Sequence, residues 1–292
     1  MINKRYLIGK KLGQGRSKVF NVIDTEFPER EVAAKFLPFD SSSEEKQFFR
    51  DEFFTLQKLD HPNIIKSFEI SLVLTKDDED NEIENFSPFI TLEHFSSTEL
   101  LQYNGIKDER KLTSIIKQVC SVLYYLHQSN YIYYDLKPEN ILVADINGEP
   151  FIKIIDLGLS QYTLKEYEHT IKGTAYYIAP ELLKNEMHDH TVDFYSLGMM
   201  LYRIAFGYFP FNSNDQLEIY KAQIEEEFSF PESHYSENVI NVIKKLIKKN
   251  PAERYNNALQ IIVDLGLMLD LNITKDGSAR VQVDWKIFVT IN

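Results

Sequence analysis

The spacing of the apolar residues changes near Ser96, and this change constrains the fold more than any other feature of the sequence. After Ser96, apolar residues recur about every 3.6 positions, as in amphipathic helices; the clearest stripe is Leu112, Ile115, Ile116, Val119, Leu123 and Leu126. Before Ser96, β-branched and aromatic runs separated by Gly, Pro and charged residues predict strands; they are residues 6–12, 19–24, 31–37, 64–74 and 89–93. The chain is therefore predicted to be α+β, with a small antiparallel sheet followed by a larger, mostly helical part.

One main helix is predicted inside the sheet-forming part. Ser42 is a suitable N-cap, and Glu45 stands three residues later, where its side chain can complete a capping box. The helix is expected to run through Leu59 and to stop at Pro62, because proline disfavours helical backbone in the residue before it. Further helices are predicted over residues 181–184, 191–206, 216–226, 237–248 and 257–269.

Charge and composition exclude several classes of function. The 292 residues include 32 basic and 44 acidic side chains, a net charge of −12, and lack the clustered Lys and Arg of a nucleic-acid surface. A neutral or basic partner is therefore favoured. Cys120 is the only cysteine, so no intrachain disulfide can form and a cytoplasmic location is expected. No apolar run has the length of a signal peptide or a membrane span, so no membrane association is expected.

Two features of the sheet-forming part are suited to binding phosphate. Gly13 and Gly15 lie between the first two predicted strands, where glycine lets backbone N–H groups approach a phosphate. A tight glycine hairpin without a ligand fits the same residues equally well. Lys35 lies on the third predicted strand, and Glu52 lies on the helix that follows. Because a buried ammonium group is costly unless paired, Glu52 is the predicted partner of Lys35. The alternative is a surface lysine at the end of a strand.

Three further motifs follow in order along the chain. They are Asp-Leu-Lys-Pro-Glu-Asn at residues 135–140, Asp-Leu-Gly at 156–158 and Ala-Pro-Glu at 179–181. Together with the glycine pair and Lys35, they resemble the motif set of the eukaryotic-type (Hanks-type) protein kinase family, from residue 6 to about residue 269. Residues 193–198 resemble the start of the family's central buried helix. Arg254 matches the arginine that, in this family, pairs with the glutamate matched by Glu181.

The resemblance implies the kinase-like fold and its division into parts. It implies a bilobal fold, with a small antiparallel-sheet N-lobe that carries one main helix and a larger, mostly helical C-lobe. The expected boundaries are a kinase domain over residues 1–270, with the N-lobe at 1–95 and the C-lobe at 96–270, and a β-rich tail at 271–292.

The resemblance also assigns catalytic roles. Asp135 would accept the proton of the attacking hydroxyl, and Lys137 would stabilise the transferring phosphoryl group. Thr174 would lie beside Asp135. Lys35, positioned by Glu52, would hold the α- and β-phosphates.

ATP and Mg²⁺ are the implied cofactors. Asn140 and Asp156 would bind Mg²⁺ through hard oxygen atoms. Gly13 and Gly15 would fold over the phosphates, and Glu93 and Phe95 would present backbone to the adenine. The full set of residues implied around the nucleotide is Leu12, Gly13, Gly15, Val19, Ala33, Lys35, Glu93, Phe95 and Leu142.

The matched motifs favour serine and threonine hydroxyls of a protein as the substrate. Lys137 in its motif, and Thr174 seven residues before Glu181, have the form found in serine/threonine kinases. Glu139 either draws a basic side chain of the substrate or is a solvated loop acid. Two alternatives remain: a pseudokinase that serves as a nucleotide-binding or scaffold module, and a small-molecule phosphotransferase. Thr174, Glu181 and Arg254 disfavour the latter.

The sequence departs from the family pattern at several positions. Tyr133 and Tyr134 replace the usual His-Arg before the catalytic aspartate, so the catalytic loop is of the non-RD kind. In many members that arginine receives a phosphate attached to the activation loop, here at Thr170. We therefore expect activity that does not require phosphorylation of Thr170. Leu157 replaces an aromatic residue, and the glycine loop is one residue short, with Lys18 near the position of a third glycine.

The tail alternates apolar and polar residues at a period of two. This pattern over residues 281–291 predicts a strand with one buried face, and Asp276 with Gly277 predicts a hairpin turn before it. Such a strand is expected to dock on the catalytic domain, to pair with a second chain or to begin a further domain. We expect a role in self-association or docking.

Overall fold

The computed structural model of the chain describes residues 1–13, 17–73, 86–158, 160–162, 173–211, 213–267, 272–273 and 279–280. The chain divides into two compact units. The first unit comprises Met1–Asp60, Ile64–Ser96 and Ile155–Gly158. The second unit comprises His61–Asn63, Ser97–Ile154 and Leu159–Asn292.

The first unit contains a five-stranded antiparallel sheet with the strand order β1-β2-β3-β5-β4. The strands are β1 (Tyr6–Gly13), β2 (Lys18–Asp24), β3 (Glu31–Pro38), β4 (Ser67–Leu72) and β5 (Phe86–Glu93). All five predicted strands are present. The fourth begins at Ser67 and not at residue 64 as predicted: Ile64 and Ile65 are buried, but pairing with β5 begins only at Ser67, opposite Leu92.

Aromatic side chains form the core of this sheet. The rings of Phe36 and Phe89 stack at 5.4 Å, and Tyr6 meets Phe89 edge-on at 5.9 Å. Arg5, one residue before β1, donates to Asp24 on β2 at 2.7 Å and to Glu69 on β4 at 2.9 Å. Arg5 thus connects β2 with β4, which are not neighbours in the strand order.

Helix α1 (Ser43–Lys58) belongs to the first unit and confirms the predicted capping box. The Ser42 hydroxyl accepts from the Glu45 backbone N–H at 3.1 Å, and the Glu45 carboxylate accepts from the Ser42 N–H at 2.8 Å. Its buried residues, Phe49, Glu52, Phe53 and Leu56, recur at helical spacing. Glu52 is the one charged member of this buried face.

The second unit is mostly helical. Its helices are α2 (Glu109–Gln128), α3 (Pro180–Leu183), α4 (Thr191–Phe206), α5 (Gln216–Glu225), α6 (Glu237–Leu246) and α7 (Ala258–Asp264). Helix α7 is shorter than predicted, because Gly266 adopts φ +72° and the Leu267 N–H donates back to the Ile262 carbonyl at 3.1 Å. Cys120 is fully buried on α2, and burial raises the pKa of its thiol.

Short strands complete the second unit. They are β6 (Thr98–Glu99), β7 (Tyr131–Ile132), β8 (Ile141–Ile146), β9 (Glu149–Ile154), β10 (Gln161–Tyr162), β11 (Asn272–Ile273) and β12 (Ala279–Arg280). The sequence analysis missed the β8–β9 hairpin. Its turn is Asn147-Gly148, with φ of 55° and 87°, which is one of the strongest hairpin signals in a sequence.

The predicted α+β architecture is confirmed, with seven α-helices among the described residues. In this part of the chain, no helix combines the length and the apolar character needed to cross a membrane. The predicted strand at 281–291, the turn at Asp276 and Gly277, Thr170 and Gly15 all lie outside the described residues.

Candidate active site

The first unit pairs Lys35 with Glu52 as predicted. Lys35 lies on β3 between Val19 on β2 and Ile90 on β5, and its ammonium nitrogen donates to both carboxylate oxygens of Glu52 at 2.7 Å. The two side chains are 14% and 4% exposed. A lysine at the surface end of a strand is therefore excluded.

Asp156 is the second carboxylate near Lys35. Its Oδ2 atom lies 3.8 Å from the Lys35 nitrogen, and its Oδ1 atom accepts from the Gly158 N–H at 2.9 Å. Burial lowers the pKa of Lys35, but the carboxylates of Glu52 and Asp156 more than offset this effect, so the pKa is raised. Lys35 is therefore held as a cation by two nearby carboxylates.

The register of the sheet aligns several of the residues implied around the nucleotide. Gly13, Val19 and Lys35 are successive cross-strand partners on β1, β2 and β3. Ala33, on β3, is buried, and Leu12, at the end of β1, is 45% exposed. The last residue of β1 and the predicted phosphate-binding lysine thus lie in one row across the sheet.

The predicted adenine-binding backbone follows directly from β5. The Glu93 N–H donates to the Lys66 carbonyl at 2.8 Å, and the Glu93 carboxylate accepts from the Lys66 N–H at 3.1 Å. Phe95 lies two residues later in the first unit, whereas Leu142 lies on β8 in the second unit.

The second unit gathers Asp135, Lys137, Asn140 and Thr174 around one carboxylate. Oδ2 of Asp135 accepts from the Lys137 ammonium at 2.6 Å and from the Asn140 amide at 3.1 Å. Oδ1 accepts from the Thr174 hydroxyl at 2.9 Å, and Lys137 also donates to that hydroxyl oxygen at 2.8 Å. Asp135 is thus arranged to accept the proton of a hydroxyl group.

Asp193, a buried residue of α4, holds the backbone just before Asp135. Its carboxylate accepts from the Tyr133 and Tyr134 N–H groups at 2.9 and 2.8 Å, and it lies 2.8 Å from Nε2 of His127. Tyr134 takes φ +67°, an uncommon conformation for a residue with a side chain. These contacts support the backbone conformation from which Asp135 projects.

Asn140 and Asp156 have the donor chemistry that Mg²⁺ prefers. The amide nitrogen of Asn140 donates to the Asp135 carbonyl at 2.8 Å, which orients the amide and identifies its oxygen as the atom for a ligand. Asp156 offers a half-exposed carboxylate. Among the described residues, no group of three or more His, Cys, Asp or Glu side chains is placed to hold a metal ion. Asn140 in the second unit and Asp156 in the first thus each offer a hard oxygen atom of the kind that Mg²⁺ prefers.

Glu139 has a partner within the chain. Arg203 on α4 approaches its carboxylate at 3.2 Å and also donates to the Tyr177 hydroxyl at 2.8 Å. The sequence analysis missed Arg203, because no local pattern indicates a contact across 64 residues. Glu139 is thus an exposed acid whose carboxylate is paired with a cation of the chain itself.

The predicted pair of Glu181 with Arg254 is present. Arg254 donates to both oxygens of Glu181, at 2.6 and 2.8 Å, and the two side chains are 0% and 2% exposed.

His188 lies 3.0 Å from the Tyr134 hydroxyl, and His190 lies 2.9 Å from the Asn256 carbonyl. The contacts of these histidines are thus with protein groups.

Comparison with known proteins gives one consistent family. The model of the protein kinase domain matches residues 6–264. Calcium-dependent protein kinase 5 of Plasmodium falciparum is 37% identical over 201 residues, which is 67% of this chain and 33% of that protein. A probable myosin light chain kinase of Dictyostelium discoideum is 30% identical over 277 residues, which is 90% of this chain and 74% of that protein.

A relative of lower identity is also named as a protein kinase. Serine/threonine-protein kinase PrkC of Bacillus subtilis is 26% identical over 299 residues, covering 97% of this chain and 43% of that protein. The chain spans about a third of the length of the two Plasmodium relatives that it matches.

Proposed function

The chain belongs to the protein kinase family, and from this premise we propose that it transfers the γ-phosphoryl group of ATP to serine and threonine hydroxyls of protein substrates. The observation that carries the proposal is the hydroxyl group already bound at Asp135. The Thr174 hydroxyl donates to Asp135 Oδ1 at 2.9 Å, and the oxygen of that hydroxyl accepts from the Lys137 ammonium at 2.8 Å. A substrate hydroxyl needs the same two neighbours.

In the proposed reaction, the substrate oxygen forms a bond to the γ-phosphorus. The bond from that phosphorus to the bridging oxygen breaks, and ADP leaves with the electron pair. The hydroxyl proton passes to the carboxylate of Asp135, and the Lys137 ammonium stabilises negative charge on the transferring group. Asn140 restrains Asp135 through amide hydrogen bonds to its backbone carbonyl and to its carboxylate.

In the proposed complex, the Lys35 ammonium stabilises the negative charge of the phosphates. The carboxylate of Glu52 holds the Lys35 ammonium in place, so the cation is oriented before ATP binds. Mg²⁺, when bound with ATP, would neutralise phosphate charge, and Asn140 and Asp156 are the residues that would hold it. Glycine at position 13, in the same row of the sheet as Lys35, leaves room for phosphate close to the backbone.

Two arguments support serine and threonine as acceptors. Lys137 contacts both Asp135 and Thr174, the arrangement that the resemblance to serine/threonine kinases implies. Relatives named as serine/threonine-protein kinases align over most of the chain, among them PrkC and MARK-C. The net charge of −12 favours substrates with basic residues near the acceptor.

The non-catalytic alternative is weaker. A scaffold that only binds nucleotide has no use for the contacts that Asp135 makes with Lys137 and Thr174. The pairing of Lys35 with Glu52 in the first unit and this cluster in the second are both retained, so the described residues favour transfer.

We also propose that full activity does not require phosphate on Thr170. Tyr134 stands where many family members have the arginine that binds this phosphate, and its hydroxyl lies 3.0 Å from His188 Nε2. Tyr134 therefore makes a contact within the protein at the position where those members bind the phosphate.

For the tail, we propose a role in self-association or docking. The alternation of apolar and polar residues over 281–291 supports it, since a strand with one apolar face favours a covering partner. Deleting residues 276–292 should change the oligomeric state or the solubility. An unchanged, stable monomer would count against this role.

The proposed activity is tested with purified chain, radiolabelled ATP, Mg²⁺ and a generic basic protein. We expect label on phosphoserine and phosphothreonine, with transfer reduced on the order of a thousandfold in Asp135→Asn and in Lys35→Met. Equal transfer by all three proteins, or none by any, would overturn the proposal. Label found on phosphotyrosine alone would overturn the assignment of the acceptor.

A further inference from the structure

Gln223 on α5 is a buried polar side chain with no role assigned so far. It is 0% exposed, and a buried amide is costly unless its hydrogen-bonding groups are satisfied. Its Nε2 atom donates to the Tyr176 carbonyl at 2.8 Å and to the Ala175 carbonyl at 3.3 Å. Its Oε1 atom accepts from the hydroxyl of Tyr195 on α4. The amide therefore connects two helices to the segment at 175–176.

That segment begins immediately after Thr174. Residues Ala175–Tyr177 form a single 3-10 turn, and the Tyr177 N–H donates to the Thr174 carbonyl at 2.8 Å. The Thr174 side chain contacts both Asp135 and Lys137. A shift of the turn would therefore displace the hydroxyl that occupies the catalytic carboxylate.

Side chains from α4 and α5 bind every carbonyl of this turn. Gln223 binds the first two, and the Ser196 hydroxyl donates to the Tyr177 carbonyl at 2.8 Å. The Tyr176 ring also stacks on Phe209 at 4.4 Å. Ring stacking restrains the side chain of Tyr176, whereas the amide of Gln223 restrains its backbone.

The backbone that carries Gln223 is itself held. The Lys249 side-chain nitrogen donates to the Ala222 and Gln223 carbonyls at 3.2 and 2.8 Å, near the C-terminal end of α5. Burial lowers the pKa of Lys249 to about 7, and the nitrogen donates hydrogen bonds to these carbonyls whether it is protonated or neutral. The backbone of α5 at Gln223 is thus held in place, so the side-chain amide can restrain the turn.

We infer that Gln223 is a positioning residue for phosphoryl transfer, acting through the Ala175–Tyr177 turn on the placement of Thr174 against Asp135 and Lys137. This inference rests on the proposed function. It adds that α5, which supplies none of the reacting groups, sets the geometry of the catalytic cluster through a single amide.

The test compares Gln223→Met with Tyr202→Phe. Methionine keeps the length of glutamine but cannot donate to the turn. The control removes another buried contact of the same unit, the hydrogen bond from the Tyr202 hydroxyl to the Ser229 carbonyl at 2.8 Å, which does not touch the turn. We expect Gln223→Met to lower kcat for a peptide substrate by about tenfold with an unchanged KM for ATP, because small misplacements of reacting groups are costly. Tyr202→Phe should keep the wild-type kcat.

A second readout does not depend on activity. Hydrogen exchange at the Tyr177 amide should accelerate in Gln223→Met and not in Tyr202→Phe. Gln223→Glu serves if the methionine variant does not fold, because it keeps the size and the acceptor for Tyr195. Its carboxyl group can donate at most one hydrogen bond to the turn, so its kcat is expected to be lower than that of wild type and exchange at Tyr177 faster.

The outcomes separate the inference from the proposed function. A wild-type chain that transfers no phosphate contradicts the proposed function. A wild-type chain that transfers phosphate, while the folded Gln223 variants match it in kcat and in exchange at Tyr177, contradicts the inference. Equal losses of kcat in Gln223→Met and Tyr202→Phe would also contradict it, because the effect would then be one of general stability.

Discussion

The carbonyl oxygen of Tyr134 lies 2.7 Å from the position that a β-carbon would occupy at Gly173. Gly173 also adopts φ +103°, a conformation that residues with a side chain rarely take. Two separate constraints therefore require glycine one residue before Thr174. Tyr134, for its part, lies one residue before Asp135, so the contact joins the two segments that carry the catalytic cluster.

Gly173→Ala should reduce phosphoryl transfer on the order of a hundredfold, because the new methyl group must push apart the backbone next to Asp135 and Thr174. Gly148→Ala is the matched control. Its φ is also positive, at +87°, but no atom lies within 4 Å of the added carbon. Steady-state kinetics measure the transfer rate of both variants, and circular dichroism shows whether each is folded. Comparable activities of Gly173→Ala and Gly148→Ala would contradict a role for the contact with the Tyr134 carbonyl, because the two positions share only the positive φ.

Glu52→Gln should lower kcat/KM for ATP by about tenfold while the protein stays folded. The neutral amide holds the Lys35 ammonium less strongly, and the remaining carboxylate nearby, Asp156 at 3.8 Å, then competes for that cation. Asp51→Asn, on the exposed face of α1, is the control and should behave as wild type. An ATP titration of the initial rate measures the effect. Wild-type values for Glu52→Gln would remove Glu52 from its proposed role.

Thr170→Ala should keep activity within about threefold of wild type, because Tyr134 cannot act as the positive receptor for a phosphate at that position. Thr174→Ala is the comparison and should lose most of its activity, since it removes the hydroxyl from Asp135. Both are measured by label transfer to the same basic protein. A folded Thr170→Ala protein with almost no turnover would refute independence from this phosphorylation.

Arg254→Met should lower the free energy of unfolding by about 3–5 kcal/mol, because it leaves the buried Glu181 carboxylate without its cation. The double variant Glu181→Gln/Arg254→Met should be less destabilised than the single one. Arg110→Met is the control: its pair with Glu149 is exposed, so it should cost less than about 1 kcal/mol. Urea unfolding measures all three, and equal losses in the two single variants would contradict the prediction.

His61 should make stability depend on pH. Burial, together with the charge of Lys153, lowers the pKa of His61 to about 3. Its Nδ1 atom accepts from the Asn63 N–H at 3.1 Å, and Nε2 lies 3.0 Å from the Ser121 hydroxyl. Below an unfolded-state pKa near 6.5, the unfolded chain binds a proton that the folded chain does not. Stability contributed by neutral His61 is therefore lost as the pH falls from about 6.5.

Between pH 7 and pH 5, wild type should lose about 2 kcal/mol more unfolding free energy than His61→Gln. The comparison is made by urea unfolding at both pH values. His234→Gln, which changes an exposed histidine, should show the wild-type pH dependence. If His61→Gln and wild type lose stability in parallel, the low pKa of this histidine is incorrect.

Local signals predicted much of the fold and of the candidate site. The capping box at Ser42 and Glu45 depends on residues three apart, so the sequence itself contains the whole contact. The pairing of Lys35 with Glu52 was predictable for a different reason: a buried charge requires a counter-charge, and the helix that follows β3 offers one at a buried position.

Contacts between distant segments were not predictable in the same way. Arg203 with Glu139, Tyr134 with His188 and Gln223 with the Ala175–Tyr177 turn join residues that share no local pattern. Which polar partners meet depends on how the helices pack, and packing is a property of the folded chain as a whole. The β8–β9 hairpin is different, because its Asn147-Gly148 turn is a local signal that the sequence itself contains.

Burial of Cys120 makes the chain suitable for kinetic experiments of another kind. Thiol reagents attack the thiolate, and here burial both shields the sulfur and raises the thiol pKa. Since the chain has no other cysteine, labelling of the native protein must await an opening of α2. The rate at which Cys120 is labelled thus reports how often the helical unit opens. A ligand that stabilises this unit should lower the labelling rate, so its binding can be followed without an activity assay.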